Sequence, residues 1–317
     1  MSRILLTAVG SMAAAPVARR YQALGHAIFG CDIYPREWTA LAGKIDFFQA
    51  RLATEGEPYV VQLREAVCRD GLDFVIPLTD PEVDALSPRK AEFRALGCTV
   101  CVPEEPVAAL CRRKDRMNRF LAEKQVCRLI PTESAVPGRP CPFPFPVIIK
   151  PRSGRSSMGQ AVAADEKNYQ TALAGREDCI VQPFLEGAVF CVDVARDSAG
   201  QVRAAARQEL LRNKSGLGMT VEVLPGHPLE AVCAAIAEAI GLVGVVNMEF
   251  IRHGDEFFFL EVNPRFSGGL GFSMAAGMDF AEMMLLCHSG GSVEAFPAAP
   301  KHALLARESQ IILTKQL

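Results

Sequence analysis

Apolar and polar positions divide the chain into an early part that switches between strand and helix periods and a later part that reads mainly as strands. Residues 3–9 form a short apolar run, the pattern of a strand buried on both faces. Gly10 and Ser11 follow as turn and helix cap, residues 13–24 carry helical spacing, and residues 26–31 form a second apolar run ending at Asp32. This βαβ unit is extended by a helix over 59–69, a strand over 72–77, a helix over 91–96 and a strand over 99–102. The first hundred residues therefore predict an open parallel sheet with helices on both faces. Pro103 and Pro106 close it. One amphipathic helix is predicted over 107–124, then a connector over 131–146 whose closely spaced prolines exclude a helix. From 147 to about 263 the pattern is of strands, with one Ala-rich helix over 229–240.

The last of those strands carries unusual chemistry. Between Glu256 and Phe266 a mostly apolar run is interrupted at Glu261, Asn263 and Arg265. A strand period of two places Phe257, Phe259, Glu261 and Asn263 on one face and Phe258, Leu260 and Val262 on the other. A buried carboxylate needs a compensating cation, and hard oxygen ligands at this spacing suit Mg²⁺. A strand over 245–251, joined through His253-Gly254-Asp255, predicts an antiparallel hairpin with Glu249 across from the strand of Glu261, so the two can share metal ions. Solvent-facing acids are the alternative, and the flanking Phe and Val residues weigh against it.

Lys150 stands at a strand end and opens a small-residue loop through Ser153, Gly154, Ser157 and Gly159. Such a loop can aim backbone N–H groups at phosphate oxygens, with the lysine neutralising charge. It is not a Walker loop, and an ordinary hairpin is the plain alternative. The stretch 179–187 reads only as a strand running into a turn. The segment 203–219, with Arg207, Glu209, Arg212 and Lys214, either holds a substrate carboxylate or phosphate or is a solvated charged loop. Ser267-Gly268-Gly269 can offer backbone donors to a tetrahedral intermediate, with turn packing as the alternative.

Composition narrows the field. A chain of 317 residues, half of them hydrophobic, with net charge -2 is a soluble globular protein of two or three subdomains with no electrostatic case for a nucleic-acid or membrane partner. The opening apolar run is too short for a membrane span and lacks the regions of a signal peptide, so the expected location is cytoplasmic. Eleven scattered cysteines are expected as reduced core thiols. Cys98 and Cys101 have the spacing of a zinc or redox pair, but no second pair or histidine stands near them. Nicotinamide or flavin binding is disfavoured, because Gly10 is one glycine where three are wanted.

Taken in order, the segments resemble the ATP-grasp superfamily, specifically ligases like the large chain of carbamoyl-phosphate synthase. They are Val75-Ile76-Pro77-Leu78-Thr79-Asp80-Pro81-Glu82, Lys114 shortly before Phe120-Leu121, Lys150-Pro151-Arg152-Ser153-Gly154, Val181-Gln182-Pro183-Phe184-Leu185-Glu186-Gly187, Asn247-Met248-Glu249-Phe250 and Glu261-Val262-Asn263-Pro264-Arg265. The resemblance covers nearly the whole chain. It implies an α/β doubly wound N-terminal domain (1–106) followed by an α+β ATP-grasp domain of two lobes with mainly antiparallel sheets. The small lobe (107–186) carries a linker helix and the glycine-rich loop, and the large lobe (187–317) carries the metal site.

ATP is then expected between the lobes. Lys114 and Lys150 would contact its phosphates, the loop with Ser153, Gly154, Ser157 and Gly159 would close over them, and the stretch Gln182, Pro183, Phe184, Leu185 and Glu186 would hold the adenosine end. Glu249, Glu261 and Asn263 would bind one or two Mg²⁺ ions, with Mn²⁺ as an alternative. Arg265 would bind the transferred phosphoryl group and the acyl oxygen, with Lys150, Arg207 and Arg212 the other catalytic candidates. Two positions depart from the pattern. Val189 stands where many relatives place the ribose-binding glutamate, leaving Glu186 as a substitute, and Arg113 precedes Lys114 where an Asp is frequent. The implied activity joins a small-molecule carboxylate to an amine through an acylphosphate, in a protein compatible with a homodimer. A small-molecule kinase, a non-catalytic ATP-binding module and a nicotinamide oxidoreductase are the competing readings.

Overall fold

The computed structural model describes residues 1–154, 158–214 and 216–316. Its first part comprises β1 (Arg3–Leu6), α1 (Ala14–Ala23), β2 (Ala27–Asp32), β3 (Asp46–Gln49), α2 (Glu57–Asp70), β4 (Phe74–Ile76), α3 (Asp80–Leu86), α4 (Lys90–Ala95) and β5 (Thr99–Val100). The strands form a five-stranded parallel sheet in the order β3-β2-β1-β4-β5. Ile4, Leu5 and Leu6 are wholly buried, as a central strand covered on both faces requires. Two elements escaped the periodicity. β3 is a half-exposed edge, and α3 is started by a capping box between Thr79 and Glu82.

The helix expected over 107–124 is two helices, α5 (Glu105–Arg112) and α6 (Lys114–Lys124). The chain is extended at Arg113 (φ -110°, ψ 97°), and the Lys114 N–H leaves the helix to donate to the Arg152 carbonyl at 3.0 Å. There follow β6 (Arg128–Leu129), β7 (Glu133–Ala135), β8 (Val147–Pro151), β9 (Ala161–Ala163), α7 (Glu166–Leu173) and β10 (Cys179–Pro183). A four-stranded antiparallel sheet has the order β7-β10-β8-β9. The helix α7 was not expected; Asp165 caps it by accepting from the Asn168 N–H at 2.7 Å.

The rest comprises β11 (Ala188–Arg196), β12 (Val202–Arg212), β13 (Gly218–Val223), α8 (Pro228–Ala239), β14 (Gly244–His253), β15 (Glu256–Asn263), α9 (Leu270–Ala275), α10 (Phe280–Ser289) and β16 (Ala303–Ala306). They build a seven-stranded sheet in the order β16-β13-β12-β11-β14-β15-β6, antiparallel except for the β15–β6 pair. The charged segment from Arg203 is thus mostly an interior strand, β12, and not a loop. On the side of α8 the sheet buries Val192, Ala206, Met248, Phe250, Phe259 and Val262. Residues 1–106 do not stand apart: Ile4, Leu6, Val17 and Tyr21 share one core with Val245, Phe280 and Met283. Among the described residues no helix is long and apolar enough to cross a membrane.

The predicted hairpin is present, with Glu249 opposite Glu261 and Asn247 opposite Asn263. A bulge interrupts it, however, because Phe250 pairs with Phe259 and leaves Leu260 as an extra residue. The extra residue breaks the period of two. Phe259 joins Val262 in the core, while Glu261 and Asn263 turn to the other side, so the expected shared face of Phe259 and Glu261 does not form.

Candidate functional site

A cavity of about 1010 Å³ lies between the carboxyl ends of β1, β2 and β4 and the polar side of the seven-stranded sheet. The sheet side is ordered by register. Arg207, Cys191, Glu249 and Glu261 align across β12, β11, β14 and β15, and Asp193, Asn247 and Asn263 form the neighbouring row. Alternation along each strand places these polar residues opposite the apolar side under α8.

Glu249 and Glu261 face each other on adjacent strands, and Asn263 Nδ2 lies 3.3 Å from Oε1 of both. Burial, with the Glu261 charge next, raises the Glu249 carboxyl from its ordinary 4.5 to about 7. Two carboxylates held together against their repulsion, with an amide beside them, fit Mg²⁺, which is commonly bound by one or two carboxylates and substrate phosphates. Asn263 would turn its amide to present Oδ1. Among the described residues no group of three or more His, Cys, Asp and Glu is placed to hold a metal, so phosphate oxygens would complete the shell.

Both predicted lysines converge here. Lys114 Nζ lies 3.1 Å from Glu261 Oε2 and donates to the Gly154 carbonyl at 3.2 Å. Lys150, only 8% exposed, donates to Gln182 Oε1 at 2.9 Å, and its burial lowers the ammonium pKa to about 8. Lys114, Lys150, Gly154 and Glu261 share one small recess. Gly159 turns the loop with φ +72°, Ser153 is exposed at the loop's start, and Ser157 lies outside the described residues.

Pro183, Phe184 and Leu185 line the cavity. The Phe184 N–H is already given to the Pro146 carbonyl (3.0 Å). Gln182 is buried and bridges Lys150 to the Thr132 hydroxyl (2.8 Å), so it orients the lysine and does not line the cavity. Glu186 is exposed and is not among the residues that line the cavity.

The three arginines differ in freedom. Arg207 is 1% exposed and donates to Asp193 Oδ2 (2.6 Å), Ser267 Oγ (3.1 Å) and Ser273 Oγ (3.2 Å), while its buried Nε has no hydrogen-bond partner. It braces the loop Ser267-Gly268-Gly269, and a Cβ on Gly269 would sit 2.7 Å from its Nη2. Arg212 donates to the Gly216 carbonyl at 2.9 Å, with Nη2 3.8 Å from Glu249 Oε2. Arg265 lines the cavity but gives Nε and Nη2 to the two Asp80 oxygens. The exposed Lys214 is not among the lining residues. The sequence reading missed Asp193, whose signal was a lone acid between Val192 and Val194.

Residues 175–311 match the family model described as "ATP-grasp in the biosynthetic pathway with Ter operon". Over that stretch the chain is similar to the ATP-grasp family. It is 27% identical to the carbamoyl phosphate synthase large chain of Arthrobacter sp. (strain FB24) over half of its length but only 16% of that protein's. It is 26% identical to the formate-dependent phosphoribosylglycinamide formyltransferase of Synechococcus sp. (strain CC9605), covering 94% of this chain and 78% of that one. The fold is similar to a biotin carboxylase–β,γ-ATP complex from Campylobacter jejuni, with a TM-score of 0.77, 17% identity, and coverage of 96% of this chain and 74% of that one. This likeness in fold extends over the N-terminal parallel sheet and both antiparallel sheets.

Proposed function

We propose that the protein is an ATP-dependent carboxylate–amine ligase. The observation that carries this reading is the convergence of Lys150, Glu249, Glu261 and Asn263 on one cavity with room for a nucleotide and a second small molecule, with Lys114 in the small recess that shares Lys150 and Glu261 with it. The substrate carboxylate attacks the γ-phosphorus, the bond to the β-phosphate oxygen breaks, and ADP leaves. The amine then attacks the acyl carbon of the acylphosphate, and phosphate departs with the C–O electron pair as the amine loses a proton. Glu249, Glu261 and Asn263 would hold Mg²⁺, which supplies charge neutralisation when bound. Lys114 and Lys150 offset phosphate charge, Gln182 keeps the Lys150 ammonium aimed, and the backbone of Gly268 and Gly269 is braced by Arg207 at the cavity wall. The relative named as a formate-dependent phosphoribosylglycinamide formyltransferase supports a reaction that starts from a small carboxylate. Eleven cysteines without a disulfide suit a cytoplasmic setting.

The test is release of ADP and phosphate in the presence of pooled amino acids. Amine-dependent release of both in equal amounts supports the ligase. ADP without free phosphate indicates a kinase, and nucleotide binding without turnover overturns the catalytic reading.

A further inference from the structure

The half of the cavity formed by the N-terminal sheet contains no phosphate or metal residue, yet it has its own chemistry. Tyr34 and Trp38 stack with ring centroids 5.8 Å apart and planes at 26°. Both line the cavity and remain open to solvent, Trp38 at 73% exposure. Met12, Ile33 and Leu52 continue this apolar rim. Exposed apolar groups gathered at a cavity mouth mark a binding surface. The C-terminal segment passes close by, with Thr314 donating to the Glu37 carbonyl, but leaves Trp38 uncovered.

Behind the rim the wall is polar and incompletely paired. Thr39 is 5% exposed, lines the cavity, and its Oγ1 has no hydrogen-bond partner; Ser11, a half-buried lining residue, also has an unpartnered Oγ. Ser11, Met12 and Ala13, which lead into α1, line this space, and the helix has no capping side chain and no acid in its first turn. A helix start of this kind favours a carboxylate. Asp32, also in the wall, accepts from the Gly10 N–H (2.8 Å) and the Tyr34 N–H (3.2 Å) and presents a negative charge. A ligand here must bring an anion to the helix start, a cation to Asp32 and an apolar body to the aromatic pair.

We propose that this subsite binds a free α-amino acid with an aromatic or large apolar side chain as the amine-donating substrate. Its carboxylate lies at Ser11, Thr39 and the start of α1, its ammonium faces Asp32, and its side chain packs on Tyr34 and Trp38. The role as amine donor rests on the ligase reading; the binding does not.

Trp38 is the sole tryptophan, so its fluorescence reports occupancy directly. The experiment titrates L-phenylalanine, glycine, L-glutamate and phenethylamine by calorimetry and by Trp38 emission, with and without a non-hydrolysable ATP analogue and Mg²⁺. L-Phenylalanine is expected to bind and shift the emission, with the other three weaker by roughly tenfold or more, and Thr39→Val is expected to weaken it about tenfold. Trp38→Ala should weaken L-phenylalanine, by calorimetry, and leave glycine unchanged. Equal affinity for glycine and L-phenylalanine, or insensitivity to both substitutions, overturns the proposal. Binding with this profile but no turnover would sink the ligase reading alone, whereas turnover with glycine or glutamate and no preference for L-phenylalanine would sink this inference alone.

Discussion

Arg265, just past the end of β15, grips the carboxylate of Asp80 at the start of α3, with Nε to Oδ1 at 3.1 Å and Nη2 to Oδ2 at 3.0 Å. This two-point pair ties the N-terminal sheet to the end of β15, and Asp80 is only 1% exposed. Sequence alone presents Arg265 as a free cation facing the reaction. The structure makes it a tether as well. Removing the guanidinium leaves Asp80 with Arg112 Nη1 at 3.8 Å as its nearest cation. Arg265→Ala is therefore expected to cost about 3 kcal/mol of stability in addition to activity. Urea denaturation of Arg265→Ala, Asp80→Ala and the double variant checks this: the double loss should be clearly smaller than the sum, and simple additivity would sink the idea.

What the sequence revealed, and what it hid, follows from distance along the chain. The Glu249–Glu261 pairing was readable because a short turn joins the two strands and alternation does the rest. The bulge at Leu260 was not, since one inserted residue leaves no mark on composition while inverting the side taken by Phe259. Lys150 was readable as a charge at a strand end, and Lys114 only through the family resemblance. The partners of Lys150 and Arg265 were not readable: Gln182 and Asp80 meet them only through tertiary packing. Arg207 read as either a substrate contact or part of a solvated loop because its segment is rich in charge, yet it is buried and paired with Asp193 on the adjacent strand.

That burial yields a second prediction. Arg207 and Asp193 are both nearly inaccessible, so Arg207→Met strands a carboxylate in the core and should cost about 3–5 kcal/mol. Adding Asp193→Leu removes the orphaned charge and should recover most of that loss. Calorimetric or chemical denaturation of the three proteins decides it. A double variant as unstable as Arg207→Met would show that the cost is packing and not charge.

Lys150 sets a pH dependence. Burial lowers its pKa from 10.5 to about 8, with Glu261 opposing and Lys114 adding to the shift. Phosphate attraction requires the charged form, so the affinity for an ATP analogue should fall as pH rises through about 8. For folding the sign is reversed: the unfolded chain keeps this proton up to 10.5, so the penalty of the buried charge is full below pH 8 and fades between 8 and 10.5. In Lys150→Arg, which stays charged, the fall in affinity should vanish. Persistence of the same pH profile in that variant would assign it to another group.

Gly187 joins β10 to β11 beside the cavity, and a Cβ there would lie 1.7 Å from the Arg252 carbonyl oxygen. Because the obstacle is backbone, Gly187→Ala must displace the start of β11 or the end of β14, at a cost of about 2–4 kcal/mol. Thermal denaturation tests the stability term. Weaker nucleotide binding should accompany it, since Pro183, Phe184 and Leu185 line the cavity just before the displaced turn.

The opposed glutamates give the last prediction. In the metal-free protein Glu249 titrates well above an ordinary carboxyl because burial and Glu261 both disfavour its charge. The raised pKa means that its contribution to stability is full below the unfolded value and is lost as pH rises through about 7. Glu249→Gln should therefore stabilise the metal-free protein above pH 7. With Mg²⁺ and ADP the order must reverse, because the wild-type pair would gain a ligand that the amide binds poorly. Saturation at a hundred times the dissociation constant is worth about 2.7 kcal/mol, readable as a rise in Tm over ADP with EDTA. Glu261→Gln should keep the shift produced by ADP alone and lose the part that depends on Mg²⁺. If the Mg²⁺-dependent part survives in both variants, the ion is held elsewhere and the polar side of this hairpin serves the phosphates through Lys114 and Lys150 alone.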